Sequence, residues 1–196
     1  DIYTPAVQET FEEIKKDSSS GIIAAVDDDH INLDIIKRLL KDTSYTLLLV
    51  SNASNFFTIL NQYRNTIDCV LLDIMLPEVS GYDICKEIRK DYSNFEVPVL
   101  MLTVKNNIED LLFGFKVGAN DYLTKPFNKD EVLARVNSLI SLKKTINEKN
   151  SAELKLLQER MNPHFLYNAL NSIHNIMEID IDNAGVAIEN LSALYQ

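Results

Sequence analysis

Short apolar runs alternate with stretches of helical period five times within residues 21–142, and this alternation restricts the possible folds more than any other feature of the sequence. The apolar runs have the length of strands, and the stretches between them have the 3.6-residue period of helices that bury one face. Such an alternation predicts a parallel sheet with helices on both faces. The predicted strands cover residues 22–26, 45–50, 67–72, 97–102 and 121–123, and the predicted helices cover residues 31–41, 55–64, 81–90, 108–117 and 129–142.

Two of the apolar runs, residues 22–26 and 67–72, are almost unbroken by polar side chains. Such runs are typical of central strands, which helices cover on both faces. Right-handed crossovers between parallel strands leave few possible strand orders. We therefore predict an α/β, flavodoxin-like, doubly wound sheet of five parallel strands in the order 2-1-3-4-5. The polar residues 1–20 are predicted to be an N-terminal linker with a helical stretch near residues 10–16.

The sequence after residue 142 has only helical patterns. Residues 143–152 are predicted to be a helical linker that continues the fifth helix of the first domain. Residues 153–196 are predicted to form a hairpin of two helices, in which Asn183 caps a last helix over residues 184–195. Because a hairpin of this size cannot bury its own apolar stripe, we predict a homodimer through these helices.

Charge and cysteine content restrict the partners and the surroundings of the protein. A net charge of −10 disfavours direct binding of nucleic acid, because phosphates repel an acidic surface. Cys69 and Cys85 lie in apolar patterns and are predicted to be buried thiols, as is typical of a reducing compartment. No apolar run approaches the length of about 20 residues that spans a bilayer. We therefore expect a cytoplasmic chain, whose parent protein could carry a membrane anchor elsewhere.

Polar side chains stand where the predicted strands end. Asp27 and Asp28 follow the first strand, and Asp73 follows the third. Thr103 follows the fourth strand, and Lys125 lies just after the fifth. Because the carboxyl ends of parallel strands share one edge of a sheet, we expect three carboxylates to meet there beside a hydroxyl and an ammonium group.

Three carboxylates at one point repel each other, and a divalent cation would remove the conflict. Mg²⁺ prefers octahedral oxygen ligands and keeps several waters. We predict that Asp28 and Asp73 bind Mg²⁺ directly and that Asp27 acts through water. The backbone carbonyl of Met75 is predicted to be a further ligand. A carboxylate held in this way is a nucleophile for phosphorus, so Asp73 is predicted to form an aspartyl phosphate.

The strand-end motifs resemble those of the receiver domains of two-component response regulators. The resemblance extends over residues 21–142 and implies the receiver fold. The matching segments are Val26-Asp27-Asp28, Leu72-Asp73-Ile74-Met75-Leu76-Pro77, Gly81-Tyr82, Pro98-Val99-Leu100-Met101-Leu102-Thr103 and Gly118-Ala119-Asn120-Asp121-Tyr122-Leu123-Thr124-Lys125-Pro126-Phe127.

This resemblance implies roles for individual residues. It implies that Asp73 accepts the phosphoryl group, with Mg²⁺ held at the pair of aspartates after the first strand. It implies that Thr103 and Lys125 contact the phosphoryl group and that Tyr122 changes rotamer together with Thr103. Val104 departs from the family pattern, which usually has a small residue after the threonine. We therefore expect slower entry or hydrolysis of the phosphoryl group.

A second motif surrounds His164. It resembles the phosphoacceptor helix of sensor histidine kinases with an Asn-Pro-His-Phe core, and it implies that His164 is an autophosphorylation site on a dimerisation element. The chain would then be a fragment of a hybrid histidine kinase. The sequence contains no glycine-rich phosphate loop, so this polypeptide is not expected to phosphorylate His164 from ATP by itself. The motif reads Leu157-Gln158-Glu159-Arg160-Met161-Asn162-Pro163-His164-Phe165-Leu166-Tyr167-Asn168-Ala169-Leu170-Asn171-Ser172-Ile173.

The sequence leaves competing interpretations of function. The favoured one is a phosphorelay protein whose receiver is charged by a histidine kinase or another cognate phosphodonor and regulates an attached kinase module. An alternative is a receiver-gated dimerisation scaffold in which His164 is inert. A third is a phosphatase with an aspartate nucleophile, because Asp27 and Asp29 form an Asp-x-Asp pair after an apolar strand. That reading leaves Asp73 unexplained and is disfavoured.

Overall fold

A computed structural model describes the backbone of residues 11–16, 18–104, 108–160, 163–177 and 180–193. It describes their side chains except those of residues 157–160, 163–166, 182 and 191–193. In chain order the elements of this described part are β1 (Glu12–Ile14), β2 (Gly21–Val26), α1 (His30–Leu39), β3 (Tyr45–Val50), α2 (Ala53–Gln62), β4 (Ile67–Asp73), α3 (Gly81–Asp91), β5 (Val99–Thr103), α4 (Ile108–Lys116), β6 (Asp121–Thr124), α5 (Lys129–Arg160), α6 (Pro163–Met177) and α7 (Ile181–Ala193).

The strands form one sheet in the order β1-β3-β2-β4-β5-β6. Strands β2 to β6 are parallel to their neighbours in this group and, counted alone, have the predicted order 2-1-3-4-5. Strands β2 and β4 occupy the centre, and most of their side chains are buried because helices cover both faces. The predicted flavodoxin-like fold is confirmed.

Strand β1 was not predicted from the sequence. The prediction of a helical stretch near residues 10–16 is wrong, because residues 12–14 are a strand that pairs antiparallel with β3, with Glu12 opposite Leu49. This pairing covers the outer edge of β3. A three-residue strand is too short to show a periodic pattern, and its partner is distant in sequence.

The core has one apolar layer on each face of the sheet. Helices α2 and α3 cover one face, and α1 and α5 cover the other. Alternate residues of β4 serve the two layers, with Val70 and Leu72 in the first and Cys69 and Leu71 in the second. Cys69 and Cys85 are buried free thiols, as predicted, and burial above all raises the pKa of Cys69 to about 12.

Helix α5 runs without a break through residues 143–152, where the sequence predicts a helical linker. The chain divides into two compact units, Asp1–Ile146 and Asn147–Gln196, and the division falls within α5. None of the helices in the described ranges has the length and apolar character needed to cross a membrane.

In the second unit, α6 and α7 pack against each other. The predicted cap of the last helix is wrong, because α7 begins at Ile181 and Asn183 lies inside it. Asp180 precedes the helix, and its carboxylate accepts the backbone N–H of Asn183 at 3.2 Å. Asp180 therefore performs the capping that the sequence assigned to Asn183.

Candidate active site

Three strands of the sheet deliver polar side chains to one edge. Asp27 follows β2, Asp73 is the last residue of β4, and Thr103 is the last residue of β5. All three side chains are buried, and each stands directly after an apolar residue. The loop after β6 adds Lys125. We call Asp27, Asp28, Asp73, Thr103 and Lys125 the acidic pocket.

The ammonium group of Lys125 links two of the carboxylates. Its Nζ lies 2.7 Å from Oδ2 of Asp27 and 3.1 Å from Oδ1 of Asp73. The backbone N–H of Lys125 donates to the carbonyl of Thr103 at 2.7 Å, which fixes the loop after β6 against the end of β5. The ammonium group also lies 5.9 Å from the ring centroid of Phe127. The lysine is therefore held between the aspartates.

Asp27 is oriented by donors on both of its carboxylate oxygens. Its Oδ1 accepts the backbone N–H of Asp29 and the side-chain amide of Asn32, each at 3.0 Å, and its Oδ2 accepts from Lys125. Asp29 does not join the pocket, because its carboxylate caps α1 by accepting the N–H of Ile31 at 2.8 Å. Asn32 is a site residue that the sequence analysis missed. Its position five residues after Asp27, in the first turns of α1, is the signal that could have identified it.

The three aspartates of the pocket offer a set of oxygen ligands for a metal ion. One carboxylate oxygen from each of Asp27, Asp28 and Asp73 can be chosen so that all lie within 4.8 Å of one another. Asp28 is exposed, whereas Asp27 and Asp73 are buried. Such a set of hard oxygen donors fits Mg²⁺.

The electrostatics of Asp73 also fit a cation. Burial, and then the negative charge of Asp27, raise the pKa of Asp73 above its ordinary value. Lys125 and the backbone N–H of Met75 act in the opposite direction without cancelling the effect. For Lys125, burial alone lowers the pKa, but its contacts with Asp27 and Asp73 outweigh burial and raise it. A divalent cation beside Asp73 would favour the ionised carboxylate in the same way.

A glycine allows the chain to pass close to Asp73. A Cβ atom at Gly81 would lie 2.2 Å from the backbone oxygen of Asp73, a distance that no side chain tolerates. Gly81 also donates its N–H to the carbonyl of Ile74 at 3.0 Å, so the start of α3 is tied to the end of β4. Gly81 belongs to the motif Gly81-Tyr82, but its steric role was not predicted from the sequence.

An open cavity of about 460 Å³ adjoins the pocket. Its wall includes Met75, Val79, Thr103 and Val104, and Val104 is 61% exposed. The bulk of Val104 therefore stands at the mouth of the cavity, next to Thr103. Slower entry or hydrolysis of the phosphoryl group because of the bulk of Val104 stays a prediction.

Tyr122 lies on β6, one strand away from Thr103. Its ring packs edge-on against Phe115, with ring centroids 5.6 Å apart, and the guanidinium carbon of Arg135 lies 6.0 Å from its centroid. Together with Ile74 and Met101 it lines an apolar cavity of about 10 Å³. The ring therefore borders a small space behind the strand ends.

The structure places His164 second in α6, and its side chain is outside the described part. Further along this helix, Leu170 and Met177 are more than half exposed, whereas Ile173 is buried. The helix therefore presents large apolar side chains at its surface, in agreement with the apolar stripe seen in the sequence.

Comparison with protein families matches both parts of the chain. Residues 23–137 match the response regulator receiver domain, and residues 152–196 match the histidine kinase family. Over 73 residues the chain is 49% identical to the DNA-binding dual master transcriptional regulator RpaA of Synechocystis sp. (strain ATCC 27184 / PCC 6803 / Kazusa). That match covers 37% of this chain and 30% of the regulator. The chain thus spans less than a third of the length of this relative.

Solved structures of receivers resemble the first unit. The BeF3-activated DrrB receiver domain is 35% identical, with a TM-score of 0.55, over 62% of this chain and 97% of that one. A response regulator from Chloroflexus aurantiacus is 30% identical, with a TM-score of 0.57, over 62% of this chain and 98% of that one.

Proposed function

Because the chain belongs to the response regulator receiver domain family and carries a histidine kinase-related segment, we propose that it accepts a phosphoryl group on Asp73 in a two-component phosphorelay. The observation that carries this proposal is the acidic pocket, where three carboxylates converge within 4.8 Å and Lys125 contacts two of them. A structural role alone would not require buried acids at this edge of the sheet.

The proposed reaction is a displacement at phosphorus. A carboxylate oxygen of Asp73 attacks the phosphoryl group, the bond to the donor's leaving group breaks, and that group departs with the electron pair. Lys125, whose ammonium already lies 3.1 Å from Asp73, neutralises negative charge as it develops. Thr103, at the end of the neighbouring strand, is proposed to hydrogen-bond the phosphoryl oxygens of the product.

Mg²⁺ is the proposed cofactor of this site. Asp28 and Asp73 would bind it directly, Asp27 would bind it through water, and the carbonyl of Met75 would be a further ligand. When bound, the ion would supply positive charge to the phosphoryl oxygens. The raised pKa of Asp73, caused first by its burial and then by Asp27, supports this proposal, because the cation stabilises the ionised nucleophile.

The test is the metal dependence of labelling. Incubation with acetyl phosphate and Mg²⁺ should give one phosphoryl adduct, which mass spectrometry should locate on the peptide that contains Asp73. Chelation by EDTA should lower the rate about 100-fold or more, because a lost charge contact at the transition state costs about 3–4 kcal/mol. Equal labelling with and without Mg²⁺, or an adduct on Asp27, would overturn the proposal. The second result would favour the aspartate-nucleophile phosphatase.

We propose further that the phosphorylated receiver regulates an attached kinase module in which His164 is the phosphoacceptor. The match of residues 152–196 to the histidine kinase family supports this part. The phosphodonor of Asp73 would be a histidine kinase or another cognate donor. In the alternative scaffold the same helices associate, but His164 is not phosphorylated.

The C-terminal helices are proposed to form a homodimer. Large apolar side chains of α6 and α7, among them Leu170 and Val186, are about half exposed in a single chain, although α6 and α7 pack together. A second copy would cover them and complete a four-helix bundle. The proposed interface is therefore the exposed apolar surface of α6 and α7.

Sedimentation should show this dimer directly. The whole chain should sediment as a dimer at roughly tens of micromolar, and a chain truncated after Ile146 should be a folded monomer. Leu170→Asp should weaken the dimer, because it places a charge in the proposed interface. Asn175→Asp adds the same charge on the same helix and should weaken the dimer less. A monomeric whole chain would contradict the prediction.

A further inference from the structure

An ion pair between the buried Lys143 and the half-buried Asp68 ties α5 to the sheet at the edge opposite the acidic pocket. Lys143 is only 6% exposed, and its Nζ donates to the carbonyl of Ile67 at 2.7 Å and lies 3.0 Å from Oδ1 of Asp68. The other oxygen of Asp68 accepts the backbone N–H of Ile22 at 2.9 Å. We call these four residues the Lys143 clamp. Through it, α5 is joined to the first residues of both central strands.

The clamp lies where α5 leaves the sheet. Among the described side chains of α5, Lys143 is the last buried one, and from residue 144 to residue 156 all are exposed except the half-buried Ile146. The helix nevertheless continues to Arg160. At 1.5 Å per residue, about 21 Å of helix precede the clamp and about 26 Å follow it.

The Lys143 clamp contributes more to the position of α5 relative to the sheet than to the stability of the fold. A buried ion pair gains little over well-packed apolar side chains, because both charges lose their hydration. It is specific, however, because rotation of α5 by one residue, about 100°, would carry the ammonium group of Lys143 away from both Asp68 and the carbonyl of Ile67. The carbonyl of Ile67 adds a second acceptor at a fixed height along the helix. The clamp therefore adds to the apolar packing of α5 a polar contact that holds one point of the helix at a fixed height beside the sheet.

The opposite end of α5 is attached close to the acidic pocket. Asn128 caps the helix by accepting the N–H groups of Asp130 and Glu131 at 2.9 and 3.2 Å. Asn128 lies only three residues after Lys125, which contacts Asp27 and Asp73. A movement of Lys125 during phosphorylation can therefore displace the first turn of α5.

We infer that Lys143 is a positioning residue for regulation, because its clamp is the fixed point about which α5 turns when the acidic pocket is phosphorylated. This inference rests on the proposed function. With Lys143 held, a displacement of the first turn becomes a tilt or twist of the helix beyond the clamp. Without the clamp, the same displacement slides or rotates the sheet-bound part of α5 and is not passed on. The clamp thus couples the acidic pocket to residues 144–160.

Hydrogen exchange of the whole chain tests this role. Beryllofluoride with Mg²⁺ imitates the phosphoryl group, and its binding should be measured separately by ¹⁹F NMR. In the wild type it should change the exchange rates of amides in residues 144–160. Lys143→Met should bind beryllofluoride normally. The change in exchange rates of residues 144–160 should be at least about threefold smaller in this variant than in the wild type. Lys144→Met is the matched control and should respond as the wild type does. Lys144 is exposed and donates to the carbonyl of Ser20 at 3.0 Å.

Failure of the inference and failure of the proposed function give different results. A full exchange response in Lys143→Met would overturn the inference and leave the proposed function intact, as would a wild type that binds beryllofluoride without any change beyond the clamp. A wild type that does not bind beryllofluoride would overturn both. If Lys143→Met does not fold, Asp68→Asn provides the same test, since it removes the charge but keeps an acceptor for Ile22. A full response in that variant would also overturn the inference.

Discussion

Asp73→Asn is expected to abolish covalent phosphoryl uptake from acetyl phosphate, lowering the labelling rate by at least about 100-fold. An amide oxygen is a poor nucleophile for phosphorus, and no other described carboxylate contacts Lys125 except Asp27, which is held by two further donors. The measurement is mass spectrometry of the intact protein after incubation with Mg²⁺. Asp83→Asn removes an exposed aspartate near the start of α3 and should label at the wild-type rate. Wild-type labelling of Asp73→Asn would show that the nucleophile lies elsewhere.

The same variant should be more stable than the wild type when no divalent cation is present. Burial and the nearby Asp27 raise the pKa of Asp73, so in the folded state this group binds more protons than in the unfolded state, where its pKa is about 3.9. The free energy of unfolding of the wild type therefore falls as pH rises from the unfolded pKa through the raised folded pKa. Asp73→Asn has no carboxyl group that titrates at this position, so its free energy of unfolding does not fall in this way.

Thermal unfolding in EDTA at neutral pH measures the difference. Each kcal/mol gained by Asp73→Asn should raise Tm by about 2–4 °C in a chain of this size. Added Mg²⁺ should narrow the gap, because it binds the wild-type carboxylates. A gap that is unchanged by Mg²⁺, or a less stable variant, would contradict the electrostatic account of the pocket while leaving the labelling result to decide the nucleophile.

Insertion of Gly-Gly-Ser-Gly after Glu148 is expected to remove the effect of Asp73 phosphorylation on His164 while leaving labelling of Asp73 intact. Helix α5 passes through this point without a break, and glycine costs about 1 kcal/mol per residue in a helix interior, so the insert interrupts the helix. The assay is phosphorylation of His164 in a version extended by an ATP-binding domain, with and without beryllofluoride. We expect a several-fold response in the wild type, equivalent to about 1–3 kcal/mol of coupling, and none in the variant.

A helical insert of seven residues provides the control for length. Seven residues make almost two turns and change the phase of the helix by only about 20°, so the continuity of α5 is kept. This variant should retain most of the response. If the glycine-rich insert leaves the response unchanged, coupling through the helix is refuted, and direct docking of the receiver onto the C-terminal helices becomes the better account.

The sheet and the acidic pocket could be predicted because their signals are local and repeated. Each apolar run ends in a polar residue, and the topology of parallel strands alone brings Asp27, Asp73 and Thr103 together. The contact of Lys143 was not predictable because it depends on a partner that is distant in sequence. Lys143 stands in a polar run that the sequence analysis read as a linker, and the carbonyl that holds it is 76 residues away. The roles of Asn32 and Gly81 follow from side-chain and backbone positions that a periodic pattern does not contain.

Because strand β1 covers the edge of β3, the folded receiver of this chain includes residues that lie before the family match. Strand β3 has the sequence Tyr-Thr-Leu-Leu-Leu-Val, and an uncovered edge of this kind is a template on which strands of other molecules assemble into aggregates. Glu12 and Glu13 pair with β3 and place acidic side chains at the border of the sheet. The match to the receiver family begins only at residue 23. A fragment cut at that family boundary would keep the residues of the acidic pocket. It would lose Gly21 and Ile22 of β2 and the strand that protects β3 from self-association.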